Sequence, residues 1–123
     1  MNQADLDSQL MDDMEPRLLS FLQTTVNSFI KWDLIRYFHD NPHAADTAAN
    51  IARYIGRDAH TVEDELSGLV EAGILRQNDV PGTRIYALSS NPDVRTVVDE
   101  FLMACSDRQF RVKAIYHVIR AMR

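Results

Sequence analysis

Cysteine, long apolar runs, basic charge and catalytic signatures are all scarce in this chain, and each shortage excludes something. The single cysteine, Cys105, cannot form a disulfide within the chain, which argues against a disulfide-stapled secreted domain. No apolar run approaches the roughly 20 residues that span a bilayer. The N-terminal string MNQADLDSQLMDDMEP has neither the basic start nor the apolar stretch of a secretory signal. These absences point to the cytoplasm, with no membrane partner.

Chemistry is equally thin. The sequence holds no Gly-rich phosphate loop, no nucleophile elbow and no H-E-x-x-H, so neither an enzyme nor a cofactor is expected. The adjacent acids Asp12, Asp13 and Glu63, Asp64, Glu65 spread around a helix instead of converging, and read as solvated faces. His39, His43, His60 and His117 are scattered, and Pro42 keeps His39 and His43 off one helix face. With one cysteine besides, no zinc-type donor set exists. The histidines therefore read as solvated and Cys105, on an apolar stripe, as a small buried hydrophobe. The aromatics Trp32, Tyr37, Phe38, Phe101, Phe110 and Tyr116 read as core.

What is present is helical patterning around one compact unit. The 123 residues, 46% of them hydrophobic, suit one domain with a modest core. Residues 47 to 88 carry the most information. Thr47 can cap a helix in which Ala48, Ile51, Ala52 and Ile55 recur at helical spacing. Gly56 then offers the left-handed residue that ends a helix. Asp58, with Thr61 competing, can cap a second helix whose Val62, Leu66, Leu69 and Val70 form one stripe. Gly73 closes it. Leu75 to Gln77 and Arg84 to Leu88 read as two short strands joined by Val80-Pro81-Gly82-Thr83, a turn with Pro second and Gly third. Helix, turn, helix and hairpin in that order outline a winged helix-turn-helix: mainly α with a small β-hairpin wing.

Long helices flank the unit. The first fifteen residues carry five acids and no base, and read either as a frayed acidic tail or as a helix on Leu6, Leu10 and Met14. Pro16 to His39 is strongly helical through Leu18, Leu22, Val26, Phe29, Ile30, Leu34, Tyr37 and Phe38. Its length favours a break near Asn27-Ser28, and Asp40-Asn41-Pro42 ends it. Asn91-Pro92-Asp93 starts another helix with a cap, a proline and an acid. Val94, Val98, Phe101, Leu102 and Cys105 form its stripe, which resumes at Val112, Ile115, Ile119 and Met122. Ser106 to Gln109 interrupts it, leaving one bent helix or two. The organisation is then residues 1–27 as tail and flanking helix, 28–90 as winged domain and 91–123 as C-terminal helices. A small core cannot cover both flanking stripes, so they pack either on each other or on a second chain. A two-fold homodimer is favoured, with Leu18, Leu22, Val26, Phe101, Val112, Ile115 and Ile119 as candidate interface residues. An acidic N-terminus facing Arg108, Arg111, Lys113, Arg120 and Arg123 suits pairing of some kind.

The segment TVEDELSGLVEAGIL, followed by the wing and IYAL, resembles the winged-helix transcriptional regulators of the ArsR and MarR type, over roughly residues 28 to 90. That resemblance implies a homodimer joined through terminal helices. It also implies double-stranded DNA as partner, with the second motif helix in the major groove and the wing along the backbone. The candidate DNA-binding residues are Arg53, Arg57, His60, Thr61, Ser67, Arg76 and Arg84. Helical geometry gives the second helix an outer face of His60, Thr61, Asp64, Ser67, Gly68 and Glu71. From Arg57 to Leu75 there is one base against five acids, and the chain carries a net charge of −5. Phosphate neutralisation supplies much of the affinity of DNA-binding proteins. The acids therefore also suit a winged module that binds a basic protein and not DNA. Nothing in the sequence names a small-molecule effector or an operator.

Overall fold

A computed structural model describes residues 14 to 122. The helical or tail reading of residues 1 to 13 lies outside the described residues. Among the described residues, six helices and three strands follow one another as α1 (Pro16–Thr24), α2 (Phe29–Asp40), β1 (Ala45–Asp46), α3 (Ala48–Ile55), α4 (Ala59–Glu71), β2 (Leu75–Val80), β3 (Thr83–Leu88), α5 (Pro92–Ala104) and α6 (Arg108–Ala121).

Caps set most of these boundaries. Side chains of Ser28, Thr47, Asp58, Asn91 and Asp107 each accept a backbone N–H at the start of α2, α3, α4, α5 and α6, satisfying donors that a helix start leaves unpaired. Ser28 splits the N-terminal helical run as expected. Asp107 resolves the C-terminal alternative into two helices. Thr61 does not compete as a cap, because its own N–H and hydroxyl both donate to Asp58, each at 3.0 Å. Gly56 closes α3 at φ 71°, where a Cβ would be strained.

The sheet is antiparallel in the order β1-β3-β2. Gly82, at φ 81°, turns the hairpin as its place after Pro81 predicts. Both strands run further than their apolar residues suggest, with Asp79 paired to Arg84 and Val80 to Thr83. The exposed end is held by ladder bonds and by an Arg84 Nε–Asp79 Oδ1 ion pair of 2.8 Å, neither of which leaves a hydrophobic pattern. Strand β1 pairs Ala45 with Ala87 and Asp46 with Tyr86. Two residues carry no periodicity, so nothing in the sequence announces it. The result is mainly helical with a small antiparallel sheet, a winged-helix fold.

Helix α2 packs on α3, α4 and α5, while α1 packs on α5 and α6. Phe101 on α5 joins these groups. Its ring lies 5.4 Å from Phe21 of α1, 5.4 Å from Trp32 of α2 and 6.0 Å from Phe110 of α6, centroid to centroid. Buried residues from Met14 through Val118 form one continuous cluster.

That cluster corrects part of the interface reading. Leu18, Leu22, Val26 and Phe101 are buried inside the single chain, because α1 folds back onto α5 and α6. They have no surface to offer a partner. Helix α6 also turns the other way from its apolar stripe. It buries Ala114, His117 and Val118, and leaves Val112, Ile115, Ile119 and Met122 outside at 54, 40, 45 and 59% exposure. His117, read as solvated, is therefore a core residue. Burial lowers its pKa below the usual imidazole value.

The ring cluster gives a stability prediction. Phe101→Ala should cost about 3–5 kcal/mol, the range for emptying a large aromatic site in a packed core. Urea unfolding followed by far-UV circular dichroism measures it. A loss below about 1 kcal/mol would mean that the terminal helices are not integral to the core.

Candidate nucleic-acid interface

Helix α4 is positioned by three buried residues, Val62, Leu66 and Leu69, which seat it against α2, α3 and β2. Its opposite side presents His60, Thr61, Glu63, Asp64 and Glu71, all exposed. Ser67 is half-buried at the margin. Gly68, assigned to the same outer face from the sequence, lies under Lys31 of α2. A Cβ at Gly68 would stand 2.9 Å from Lys31 Cε and Nζ. The missing side chain lets Lys31 cross α4, where its Nζ meets Asn27 Oδ1 at 2.7 Å and Glu65 Oε2 at 3.4 Å. Of the three consecutive acids, Glu65 is thus neutralised locally, while Glu63 and Asp64 face solvent.

The four candidate arginines divide into two kinds. Arg57, just past Gly56, places Nη2 2.6 Å and Nε 3.1 Å from Asp33 Oδ2 on α2. Arg84 is held across the hairpin by Asp79 at 2.8 Å. A cation already paired gains less from a phosphate, because the first carboxylate must be displaced. Arg53 on α3 and Arg76 on β2 are exposed and have no carboxylate partner among the described residues. Sequence spacing could not separate the pairs, since Asp33 lies 24 positions from Arg57. The surface around α4 and the wing thus offers two uncommitted guanidiniums, one imidazole, the engaged hydroxyl of Thr61 and the half-buried hydroxyl of Ser67, against Glu63, Asp64 and Glu71, exposed carboxylates with no cation partner among the described residues.

The structure also brings together a second group of residues that the sequence reading did not assign to a common site. Phe29, Trp32, Asp33, Arg36, Arg111 and Ile115 line a cleft of about 210 Å³ between α2 and α6. A signal for it exists: Phe29, Trp32, Asp33 and Arg36 recur at helical spacing on one side of α2. The half-buried Phe29 and buried Trp32 pass for core residues when only apolar periodicity is read.

Cys105 sits at the end of α5, 6% exposed. Burial pushes its thiol up to about 11, despite the opposing influence of Arg36 and Arg111. It is a thiol and not a thiolate at neutral pH, unlike a redox-sensing cysteine. Among the described residues no three His, Cys, Asp or Glu side chains could hold a metal ion. No helix among them is long and apolar enough to cross a membrane.

Labelling of Cys105 by a thiol reagent at about pH 8 should be slower than in urea by on the order of a hundredfold, from thiolate fraction alone. The native rate should climb as the pH rises towards 11. Rapid labelling of the folded protein at neutral pH would show an accessible, activated thiol instead.

No family model matches the sequence, and no curated protein resembles it at a significant level. Among solved structures, a possible transcriptional regulator from Methanosarcina mazei Go1 is similar at 16% identity over 87% of this chain and 82% of that one, with a TM-score of 0.45, an overlap too loose to bear on function.

Proposed function

We infer that the protein is a winged-helix transcriptional regulator that binds double-stranded DNA as a homodimer. One observation carries the DNA reading: α4 presents His60, Thr61, Glu63, Asp64 and Glu71 to solvent, with Lys31 crossing it only at Gly68, in a helix-turn-helix whose wing also projects exposed residues from Arg76 to Arg84. This is the arrangement in which a helix enters the major groove and a wing follows the backbone. Arg53 and Arg76 supply phosphate contacts, and His60 and Ser67 can reach base edges. Residues 28 to 90 form the DNA-binding unit and the C-terminal helices the pairing unit.

The pairing reading rests on α6. Its exposed Val112, Ile115, Ile119 and Met122 are spaced three, four and three residues apart, the a/d seam of a helix that packs lengthwise on another. A monomer would leave that seam in water. Pairing through α6 also doubles Arg53 and Arg76, which matters for a subunit with so few free cations.

A second reading is supported by Glu63 and Asp64, which repel phosphate and suit a basic protein partner. The two readings part on a measurable quantity. Binding to random-sequence duplex DNA should be detectable at low salt by fluorescence anisotropy and should fall steeply as salt rises. Arg53→Ala and Arg76→Ala should each weaken it and reduce the log–log salt slope by up to about one unit for each phosphate no longer neutralised. Glu63→Gln with Asp64→Asn should tighten it. If neither the parent nor the amide variant binds at low salt, the DNA reading falls and α4 is a protein-docking helix.

Light scattering tests the pairing. The parent should have twice the mass of the chain, and Ile115→Asp should yield folded monomer, since a charge in the seam is costly to bury. Leu22→Asp should unfold the protein and not merely separate subunits, because Leu22 is 1% exposed within the chain. A monomeric parent would remove the homodimer.

A further inference from the structure

The face that α6 turns to the core holds one ionisable side chain. His117 is 7% exposed and is buried together with Ala114 and Val118. Its Nε2 has no hydrogen-bond partner among the described residues, although buried polar atoms nearly always find one. Leu22 and Gln23 of α1 join His117, Arg120 and Ala121 around a pocket of about 240 Å³ where the two helices meet. That lining contains a base and no acid. Ionisable groups on the neighbouring elements do not alter its character. On α6, Lys113, Tyr116 and Arg120 lie within about one turn of His117. On α1, Arg17 stands at the far end, paired with Glu100 of α5 at 3.1 Å, and the capping Glu15 accepts the N–H groups of Arg17 and Leu18. Elsewhere on α5, Asp99 contacts His39 at 2.7 Å. Across the cleft, α2 presents Arg36 and Asp33, the latter bound to Arg57. A proton added to His117 therefore creates a cation beside a guanidinium, in a pocket whose lining supplies no carboxylate.

We propose that His117 is an acid-sensitive latch: uncharged, it lets α6 lie against α1, and protonated, it releases α6 together with the outward seam. Ile115 and Ile119 stand two residues to either side of His117 on the seam face, so a turn that leaves the core carries the seam with it. The consequence for the seam rests on the pairing reading, whereas the latch itself does not. Its sign follows from burial, which disfavours the charged imidazole and lowers its pKa below the ordinary value. Once released, the side chain binds a proton at about 6.5, so the released state takes up the proton first. The latch is at full strength above about pH 6.5 and weakens as the pH falls towards the buried value. One proton shifts the release equilibrium by up to about tenfold per pH unit across that window.

The test is hydrogen–deuterium exchange of the full chain between about pH 7.5 and pH 5, read peptide by peptide and corrected for the intrinsic pH dependence of amide exchange. Protection of α6 should fall by up to about tenfold per pH unit below about 6.5, while that of α4 stays level. His117→Met, apolar and of similar size, should abolish the pH dependence. It should leave α6 at least as protected at neutral pH, because the lost Nε2 had no partner. His117→Gln, polar without a titrating proton, should be flat as well, and it keeps the test open if the methionine variant does not fold. The proposal is overturned if α6 keeps its protection down to about pH 5, if α4 loses protection in step with α6, or if the slope survives in either variant. Light scattering over the same range separates this idea from pairing. A parent that is monomeric at every pH removes the homodimer, and the exchange of α6 still decides the latch by itself.

Discussion

The contact that organises the molecule is the enclosure of Phe101. One ring on α5 meets Phe21, Trp32 and Phe110 from three other helices and is itself completely buried. Burial of apolar surface is the main favourable term in folding, and aromatic contacts concentrate it. Because Trp32 belongs to the first helix of the winged unit, the cluster locks that unit to the terminal helices. Helix α2 can then serve two sides at once: Leu34, Ile35 and Phe38 are buried with Trp32, in a helix that packs on α3, α4 and α5. An exposed ion pair of Arg17 with Glu100 at 3.1 Å and a His39–Asp99 contact at 2.7 Å bridge α5 to α1 and α2. At the surface such pairs contribute about 0–1 kcal/mol, so they trim the arrangement and the rings hold it.

Legibility of the fold follows the range of the signal. Caps and glycines act within a few residues, and Ser28, Thr47, Gly56, Asp58, Gly82 and Asn91 all behave as their positions dictate. Periodicity locates every helix described. It cannot say which side of α6 faces inward, because that helix has apolar residues on both. Ala114, His117 and Val118 are buried, and Val112, Ile115 and Ile119 stay out. For the same reason the stripe of Leu18, Leu22, Val26 and Phe101 suits a second chain on paper, while the fold covers it from within by bringing α1 onto α5 and α6.

The candidate interface is legible as residues and illegible as charge. Arg53, Arg57, Arg76 and Arg84 look alike in sequence. Tertiary pairing with Asp33 and hairpin register with Asp79 set two of them apart. Gly68 shows the same effect in reverse. Its lack of a side chain admits Lys31, which neutralises Glu65, so α4 is less acidic than a count of its residues implies. What remains is a helix with three bare carboxylates, Glu63, Asp64 and Glu71, flanked by the bare guanidiniums of Arg53 and Arg76.

Pairing and the cleft meet at one residue. Ile115 contributes to the outward seam of α6 and to the wall shared with Trp32 and Arg36. Packing between α6 and α2 is sparse, the cleft occupying the space between them, and the hold of α6 on the core runs through α1 and the Phe101 cluster. The position of α6 is therefore set chiefly from the core side, through α1 and through the ring of Phe110 against Phe101.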